Sequence, residues 1–498
     1  MISGNNQAHW GGVGRARVRV LKVVALIAAS IGASAGSAAQ SDLPVAPSAV
    51  SRPLKLTGGV NVEQEQPGAK SLTLDEAIAI ALKNNAEVKI RGEQERFVHG
   101  QQLNALNTLL PTISASGYAR AQEINLAAQG FKPGTVKIPN VNSATIPSIV
   151  KVNTANAQLN LSQTLFNAPA LFLYRATEKA RAATNWATLS ARGGVVLQTG
   201  GLYLRILADE AMVRNAEALV KQDELVYAHA KASKDAGVGI NLDVLRAQVE
   251  LQNEQQALLQ ARNSVAKDKI MLNREMGQPA GQELNLVDAI PYSDFNADSS
   301  DAALASALAT AYERRKDLRQ LESELDVAHE TGVALKYERL PVLGVGGYYG
   351  VIGEIGGLFH GDFVAQGQIS VPIFQEAQVR GQKQVAAAQE AGLMRQIDGR
   401  KSQIEAEIRS SLLDVQSAAE VLKVAKSNVD LAREALSDAT LRFTAGVDDN
   451  LPTVRAQTTL EGAQARLIQA EFSYNYAKLV LARNTGVVET QYRTYLGK

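Results

Sequence analysis

Residues 442–457 read RFTAGVDDNLPTVRAQ, and residues 233–248 read SKDAGVGINLDVLRAQ. Ala-Gly-Val, Asn-Leu and Arg-Ala-Gln recur in both stretches at the same spacing, 209 residues apart. The same shift aligns Gly277 with Gly486, and a shift of 230 aligns Leu110-Pro111 with Leu340-Pro341. These repeats predict that the same order of secondary-structure elements occurs twice along the chain.

A very long helical segment precedes each copy of the phrase. Residues 376–444 contain no proline and residues 168–235 contain none after Pro169, so each segment would extend about 100 Å as a helix. In the second segment, apolar residues step by three or four, which predicts a coiled-coil seam. The seam residues are Ile404, Ile408, Leu412, Val415, Ala419, Leu422, Ala425, Val429, Ala432, Leu436 and Ala439.

The repeated phrase is then the turn between an outgoing helix and its return partner. Gly237 and Gly446 are predicted to take positive φ at the ends of the outgoing helices. Asn241 and Asn450 are predicted to cap the return helices.

Between the helices, the hydrophobic period changes to two. Apolar and polar residues alternate over 112–122, 155–165 and 363–373, and more weakly over 342–352. Strands of about ten residues with one apolar face are typical of transmembrane β-barrels, although a soluble half-buried sheet shows the same alternation. Four strands are too few to close a useful barrel, so an interpretation as membrane-spanning strands requires several chains to share one barrel.

The beginning of the sequence is typical of a secretory signal, predicted over residues 1–39. Four basic residues between positions 15 and 22 precede an apolar run at 23–31, and small residues follow. The apolar run is too short for a membrane anchor. The chain has no cysteine, so it uses no disulfide and carries no lipid on a cysteine.

Composition and motifs argue against catalysis and nucleic-acid binding. The 498 residues are 46% hydrophobic and 20% charged, with a formal net charge of +1. No histidine belongs to a metal-binding spacing. The glycine-rich stretch at 344–357 has Tyr349 where a nucleotide-binding loop needs its third glycine. We therefore expect no enzyme activity and no cofactor.

Several motifs together resemble the TolC-like outer-membrane channels of Gram-negative bacteria, also called outer-membrane factors. The motifs are LTLDEAIAIALKNN (72–85), Leu-Leu-Pro-Thr (109–112), LSQTLFN (161–167), ISVPIFQ (369–375) and the doubled turn. The resemblance extends from about 72 to 487. In place of the aspartate ring that some members have inside the second tip, this chain has Pro452 and Arg455.

The resemblance implies a mainly α fold with a small β part. The chain would form a homotrimer, in which long coiled-coil hairpins build an α-helical barrel. This barrel would be joined to a shared twelve-stranded transmembrane β-barrel, to which each chain gives four strands.

The predicted organisation follows the internal repeat. Its parts are a signal peptide (1–39), an extended linker (40–71), a first repeat (72–300), a second repeat (301–487) and a tail (488–498). The first repeat comprises helices at 73–109, strands at about 112–124 and 153–166, a hairpin at 168–277 and an equatorial segment at 278–300. The second comprises helices at 301–339, strands at about 341–352 and 362–374, and a hairpin at 376–486.

The resemblance also implies a function and partners. The trimer would be the outer-membrane exit duct of a tripartite efflux or type I secretion system, with a long periplasmic portion, and multidrug export would be one of its uses. A periplasmic adaptor would open the tip, and an inner-membrane transporter of the RND or ABC type would supply the substrate. Outer-membrane lipid would surround the strands. The alternative is a periplasmic coiled-coil adaptor or scaffold without a pore.

The hairpin turns are the predicted sites of docking and gating. The docking residues are Ala236, Gly237, Val238, Asn241, Leu242, Arg246, Ala445, Gly446, Val447, Asn450, Leu451 and Arg455. They are mostly small or apolar at an end expected to face solvent, which is typical of a partner surface. The gate candidates are Asp243, Asp448, Asp449 and Arg455, which would pair between hairpins or chains.

Overall fold

The computed structural model describes residues 68–130, 149–237, 239–291, 300–445, 447 and 451–497. The predicted signal peptide, most of the linker, and the turn residues Val238, Gly446, Asp448, Asp449 and Asn450 lie outside these ranges.

The described residues are mostly helical, with a smaller β part. The helices are α1 (Leu74–Asn84), α2 (Ala86–Asn107), α3 (Ala168–Asp235), α4 (Asn241–Met276), α5 (Asp301–Arg314), α6 (Lys316–Lys336), α7 (Glu376–Thr444), α8 (Leu451–Asn484) and α9 (Val488–Leu496). The strands are β1 (Lys70–Leu72), β2 (Thr112–Asn125), β3 (Ile149–Phe166), β4 (Leu284–Leu286), β5 (Val342–Glu354) and β6 (Phe359–Ser370). A short 3-10 helix lies at Ala127–Gln129.

The described residues belong to two compact units. The strand unit lies within Phe97–Arg181 and Ser323–Leu393. The hairpin unit lies within Ser37–Arg96, Ala182–Glu322 and Met394–Lys498. Each unit takes segments from both halves of the sequence, so the units do not coincide with the two predicted repeats.

The strand unit contains an antiparallel sheet in the order β2-β3-β5-β6. β3 begins four residues before the predicted position 153, and β6 covers Phe359–Ser370 where 362–374 was predicted. The early end of β6 has a simple cause, because Pro372 has no backbone N–H to give to a strand ladder.

The strand register places apolar and polar residues in alternating rows. One row runs across all of these strands as Ala115, Leu159, Tyr349 and Phe363. The next row runs as Ser116, Gln158, Gly350 and Asp362. Paired residues point to the same side of a sheet, so one face is apolar and the other polar.

Side-chain hydrogen bonds connect the polar face. The Asn160 amide donates to the Ser116 hydroxyl (Nδ2–Oγ 2.9 Å), and the Tyr348 hydroxyl donates to Asp362 (2.9 Å). On the opposite face, the side chains of Ile113 and Phe363 are exposed. Several polar side chains of the sheet are therefore paired on one face, while large apolar side chains on the other face are exposed.

The long hairpins carry the predicted seam. Ile404, Ile408 and Val415 of α7 are fully buried, and the remaining seam residues are buried or half-buried. On the return helix α8, Ala463 and Tyr474 are buried as well. These burials confirm the predicted coiled-coil stripe of α7.

The main apolar core of the hairpin unit gathers short elements around the long helices. β1 pairs in parallel with β4, and α1 starts at a capping box made by Thr73 and Glu76. The core residues include Leu72, Leu74, Ile206, Leu272, Met276, Leu479 and Leu496. The Tyr203 hydroxyl donates to the Leu72 carbonyl and to Asp288, at 2.9 Å in each case.

The end of the chain is a helix where the sequence predicted only a tail. α9 buries Val488, Tyr492 and Leu496 in this core, and the Tyr492 hydroxyl donates to Asp75 (2.6 Å). Its few residues give too short a stretch for the helical period to stand out. The burial of its apolar face against α1 and its neighbours stabilises it instead.

Two buried polar residues occupy the breaks between consecutive helices. Asn85 follows α1 and donates to the Glu275 carboxylate (Nδ2–Oε1 2.8 Å). Arg315 follows α5, donates to Asp317 (Nη2–Oδ2 2.7 Å) and pairs with Glu407. Burial alone would lower the pKa of Arg315, but its bonds to these two carboxylates raise it.

Among the described helices, none has an apolar stretch long enough to cross a membrane.

Candidate functional site

The first hairpin turn closes at a glycine. α3 ends at Asp235, and Gly237 follows with φ of +77°. Its N–H donates to the Lys234 carbonyl (2.9 Å), and the Gly239 N–H donates to the Ser233 carbonyl (2.9 Å). These bonds satisfy carbonyl groups at the helix C-terminus that have no hydrogen-bond partner within the helix. The positive φ predicted for Gly237 is confirmed.

The predicted cap at Asn241 is wrong. Asn241 is the first residue of α4, and Ile240 occupies the cap position without a side-chain hydrogen bond. Because Asn241 lies one residue after the N-cap position, its side chain cannot serve as the cap. Its Oδ1 instead accepts a hydrogen bond from Lys234 Nζ (2.8 Å). Asn241 therefore ties the return helix to the end of the outgoing helix.

The second turn shows a related helix end. α7 ends at Thr444, and the Val447 N–H donates to the Arg442 carbonyl (3.0 Å). A bond over five residues is the one that a Schellman motif makes at a helix C-terminus. α8 begins at Leu451, and the Thr453 hydroxyl donates back to the Ala439 carbonyl (3.2 Å). The predictions for Gly446 and Asn450 fall outside the described residues.

Both described tips expose apolar side chains. Ile240 is 59% exposed and Val447 is 67% exposed, and Leu242 and Leu451 are exposed as well. The other docking candidates in the described ranges are also exposed: Ala236, Gly237, Asn241, Arg246, Ala445 and Arg455. A turn needs none of these apolar side chains for its own geometry, so they form a surface available to another molecule.

The gate candidates in the described ranges do not pair with one another. Asp243 lies 3.8 Å from Arg246, one turn along the same helix. Arg455 is exposed, and no ion pair joins it to another described residue. A lock between the hairpins of one chain is thus not formed by these residues, and pairing between chains stays a prediction.

The two hairpins meet just inside their tips, through residues that the sequence did not single out. The rings of His229 and Phe443 pack edge to face with centroids 6.5 Å apart. The Gln457 amide, which is buried, donates to Asp223 (Nε2–Oδ1 2.5 Å). Gln457 is the last residue of the second Arg-Ala-Gln and is buried, whereas its counterpart in the first copy, Gln248, is exposed.

Asp223 belongs to a group of acidic side chains that no local sequence pattern predicted. The group comprises Asp223, Glu250, Glu254 and Glu461. Burial, followed by the charges of the other three, raises the pKa of Glu461 to about 7. The four residues lie on three helices and far apart in sequence, so only the packing of the hairpins brings them together.

The chain resembles known proteins in its sequence and in its fold. The model of a family described as outer membrane efflux protein matches residues 104–278 and 307–487. Toluene efflux pump outer membrane protein TtgC and antibiotic efflux pump outer membrane protein ArpC, both from Pseudomonas putida, are each 23% identical over 418 residues, 83% of this chain and 82% of each relative. The structure of the Campylobacter jejuni CmeC outer membrane channel has a TM-score of 0.69 at 15% identity, covering 83% of this chain and 86% of that one.

Proposed function

Because the chain belongs to the outer membrane efflux protein family, we propose that it is the exit duct of a tripartite efflux system. Members of this family are outer-membrane efflux channels and not enzymes, in agreement with the sequence prediction. The observation that carries the finer proposal is the pair of long hairpins whose described turns expose apolar side chains, such as Ile240 and Val447. Such tips suit an adaptor protein that delivers an inner-membrane transporter to the duct.

The duct requires more than one copy of the chain, and we propose a homotrimer. Leu413, Val424 and Leu431 form an exposed apolar stripe on α7, away from the buried seam, and each is 57–61% exposed. A helix that is apolar on two faces has a second packing partner. The apolar face of the β2-β3-β5-β6 sheet is likewise suited to lipid. Three chains would supply twelve such strands to one barrel, and their helical hairpins would line the duct.

Small compounds are the proposed cargo. The relatives from Pseudomonas putida are named for toluene and for antibiotic efflux. Their names support multidrug export more than protein secretion, and the inner-membrane transporter, of the RND or ABC type, stays a prediction. The signal predicted at residues 1–39 supports passage to the outer membrane, with the hairpins in the periplasm.

The tip also carries the proposed gate. Asp243 lies in the first turn of α4, and Arg455 lies at the start of the second turn of α8. In a trimer, these residues and the neighbouring Asp448 and Asp449 would be repeated three times around one axis. Single exposed ion pairs contribute only about 0–1 kcal/mol each, so a gate of this kind depends on their number and can be opened by a partner.

The proposal is tested in cells that lack this gene. The strain should accumulate a fluorescent apolar dye, and the wild-type chain should restore dye export. The variant Gly237→Asp/Gly446→Asp should assemble yet fail to restore export, because charge at the turns opposes docking. Gly356→Asp is a matched control, since Gly356 also has a positive φ (+91°) and no atom lies within 4 Å of a Cβ built there.

Each outcome bears on a different part of the proposal. Equal dye accumulation with and without the wild-type gene would contradict the efflux function. Normal export by the assembled double variant would contradict docking at the tips and leave the efflux function standing.

A further inference from the structure

Four carboxylates from two different hairpins converge within the hairpin unit. Asp223 is on α3, Glu250 and Glu254 are one helical turn apart on α4, and Glu461 is on α8. One carboxylate oxygen from each glutamate lies within 4.8 Å of the other two. The group therefore joins the first hairpin to the second.

Asp223 is the most deeply buried member of the group. Its exposed fraction is 3%, and only one of its oxygens, Oδ1, accepts a hydrogen bond, from Gln457. Its Oδ2 is buried and has no hydrogen-bond partner among the described residues. Gln457, which donates to Asp223, also hydrogen-bonds to Glu461, and after burial the charge of Asp223 is the next largest influence that raises the pKa of Glu254, so Asp223 lies beside the three glutamates.

Positive side chains do not neutralise the cluster. In the part of the chain that the structure describes, none of the four carboxylates forms an ion pair with lysine or arginine, and Glu461 Oε1 is buried without a hydrogen bond. The contrast is Glu217, which also lies on α3 and pairs with Arg262 of α4 (2.7 Å). Clustered acids without a counter-charge repel one another, and burial increases the cost.

The geometry suits a hard cation. Ca²⁺ takes oxygen ligands at about 2.4 Å, so two ligands on opposite sides of the ion lie about 4.8 Å apart. The three glutamate oxygens lie within that span of one another. All of the side-chain donors are carboxylates, which favours Ca²⁺ over Zn²⁺, since Zn²⁺ in proteins prefers histidine and cysteine.

We propose that Asp223, Glu250, Glu254 and Glu461 form a Ca²⁺-binding site that fastens the first hairpin to the second inside the tips. The ion supplies the positive charge that the cluster lacks, and water completes its coordination. Without the ion, the carboxylates repel and the hairpins separate more readily at this level. The inference rests on the described side chains and does not depend on what the duct transports.

The test is calcium titration of the full chain, purified in detergent and stripped with EDTA. At pH 8, isothermal calorimetry should show one saturable site per chain with a Kd at or below about 1 mM, the range of weak protein sites. Saturating Ca²⁺ should raise the thermal midpoint, because it binds only the folded form. The absence of saturable binding by the wild-type chain would overturn the proposal.

Variants identify the site. Glu250→Gln/Glu461→Gln should lose the Ca²⁺ isotherm and the thermal shift, whereas Glu217→Gln should keep both. If the double variant does not fold, Glu254→Gln removes one ligand and should weaken binding at least tenfold. Unchanged Ca²⁺ affinity in the folded variants would place the ion elsewhere and overturn the assignment.

Discussion

Asn85 and Arg315 occupy corresponding breaks between two helices, 230 residues apart, and each donates a hydrogen bond to a glutamate of a long hairpin. The glutamate is Glu275 of α4 in the first case and Glu407 of α7 in the second. The shift of 230 is the one that aligns the two halves of the sequence. The same backbone position thus carries a neutral donor in one half and a cation in the other.

Removing the Arg315 side chain should destabilise the hairpin unit strongly. Arg315→Ala leaves Asp317 and Glu407 without their cation, and breaking a buried pair in this way costs about 3–5 kcal/mol. The thermal midpoint, followed by circular dichroism, measures the loss. Arg395→Ala is the control, because Arg395 is exposed and lies 3.8 Å from Asp398, a pair worth about 0–1 kcal/mol. Equal midpoints for the two variants would show that the Arg315 network contributes little.

The Glu275 carboxylate should make stability fall as the pH rises. Burial raises its pKa from 4.5 to about 7, so between these values the folded chain holds a proton that the unfolded chain has lost. The stabilising effect of protonation is complete below pH 4.5 and is lost by about pH 7. Glu275→Gln should therefore lose roughly 1–3 kcal/mol less stability than wild type between pH 5 and pH 8.

Unfolding midpoints at pH 5 and pH 8 measure this effect. The stability of Glu275→Gln relative to wild type should be higher at pH 8 than at pH 5. Comparing this difference at the two pH values cancels the contributions of the other acidic residues. Glu434→Gln on α7, at an exposed carboxylate, is the control and should show no such pH-dependent difference. A benefit of the same size at both pH values would contradict the assignment.

Close approach of β5 and β6 requires glycine at position 347. A Cβ at Gly347 would lie 2.0 Å from the Val364 carbonyl oxygen, whereas a Cβ at Gly367 in β6 would have no atom within 4 Å. Gly347→Ala should disturb the sheet by about 1–3 kcal/mol or more. Heat-resistant oligomer on a gel should decrease for Gly347→Ala and remain for Gly367→Ala. A wild-type amount of heat-resistant oligomer for Gly347→Ala would mean that β5 accommodates the added methyl group without loss of stability.

The exposed stripe on α7 should hold neighbouring chains together. Val424→Glu places a charge on that stripe and should reduce the oligomer to single chains, because an unpaired charge is costly in an apolar interface. Lys423→Glu, on the adjacent exposed face, changes the net charge more and should leave the oligomer intact. Sedimentation in detergent measures the mass, and an intact Val424→Glu oligomer would place the interface elsewhere.

Local pattern explains what the sequence predicted. The seam from Ile404 to Ala439 and the alternation in β2 and β3 are periodic over many residues, so they identify helix and strand without knowledge of the fold. The positive φ of Gly237 is similarly a property of one residue type at a helix end.

Tertiary packing explains what the sequence did not predict. Asn241 was predicted as the N-cap of α4, but α4 begins one residue earlier than that prediction requires, so Asn241 is the first residue of the helix. The burial of α9, the bond from Gln457 to Asp223 and the acidic group around Glu461 join segments far apart in the chain. No local period records such contacts, and the difference between Gln457 and its exposed counterpart Gln248 arises only when the hairpins pack.

The most direct test of the central claim is the conductance of the purified full chain in planar lipid bilayers. We predict an oligomer with the mass of three chains that produces discrete conductance steps. The steps should become larger in Asp448→Lys/Asp449→Lys, because reversed charges would weaken the proposed gate. An oligomer that inserts no conductance, in wild type and variant alike, would contradict a channel and favour a coiled-coil scaffold.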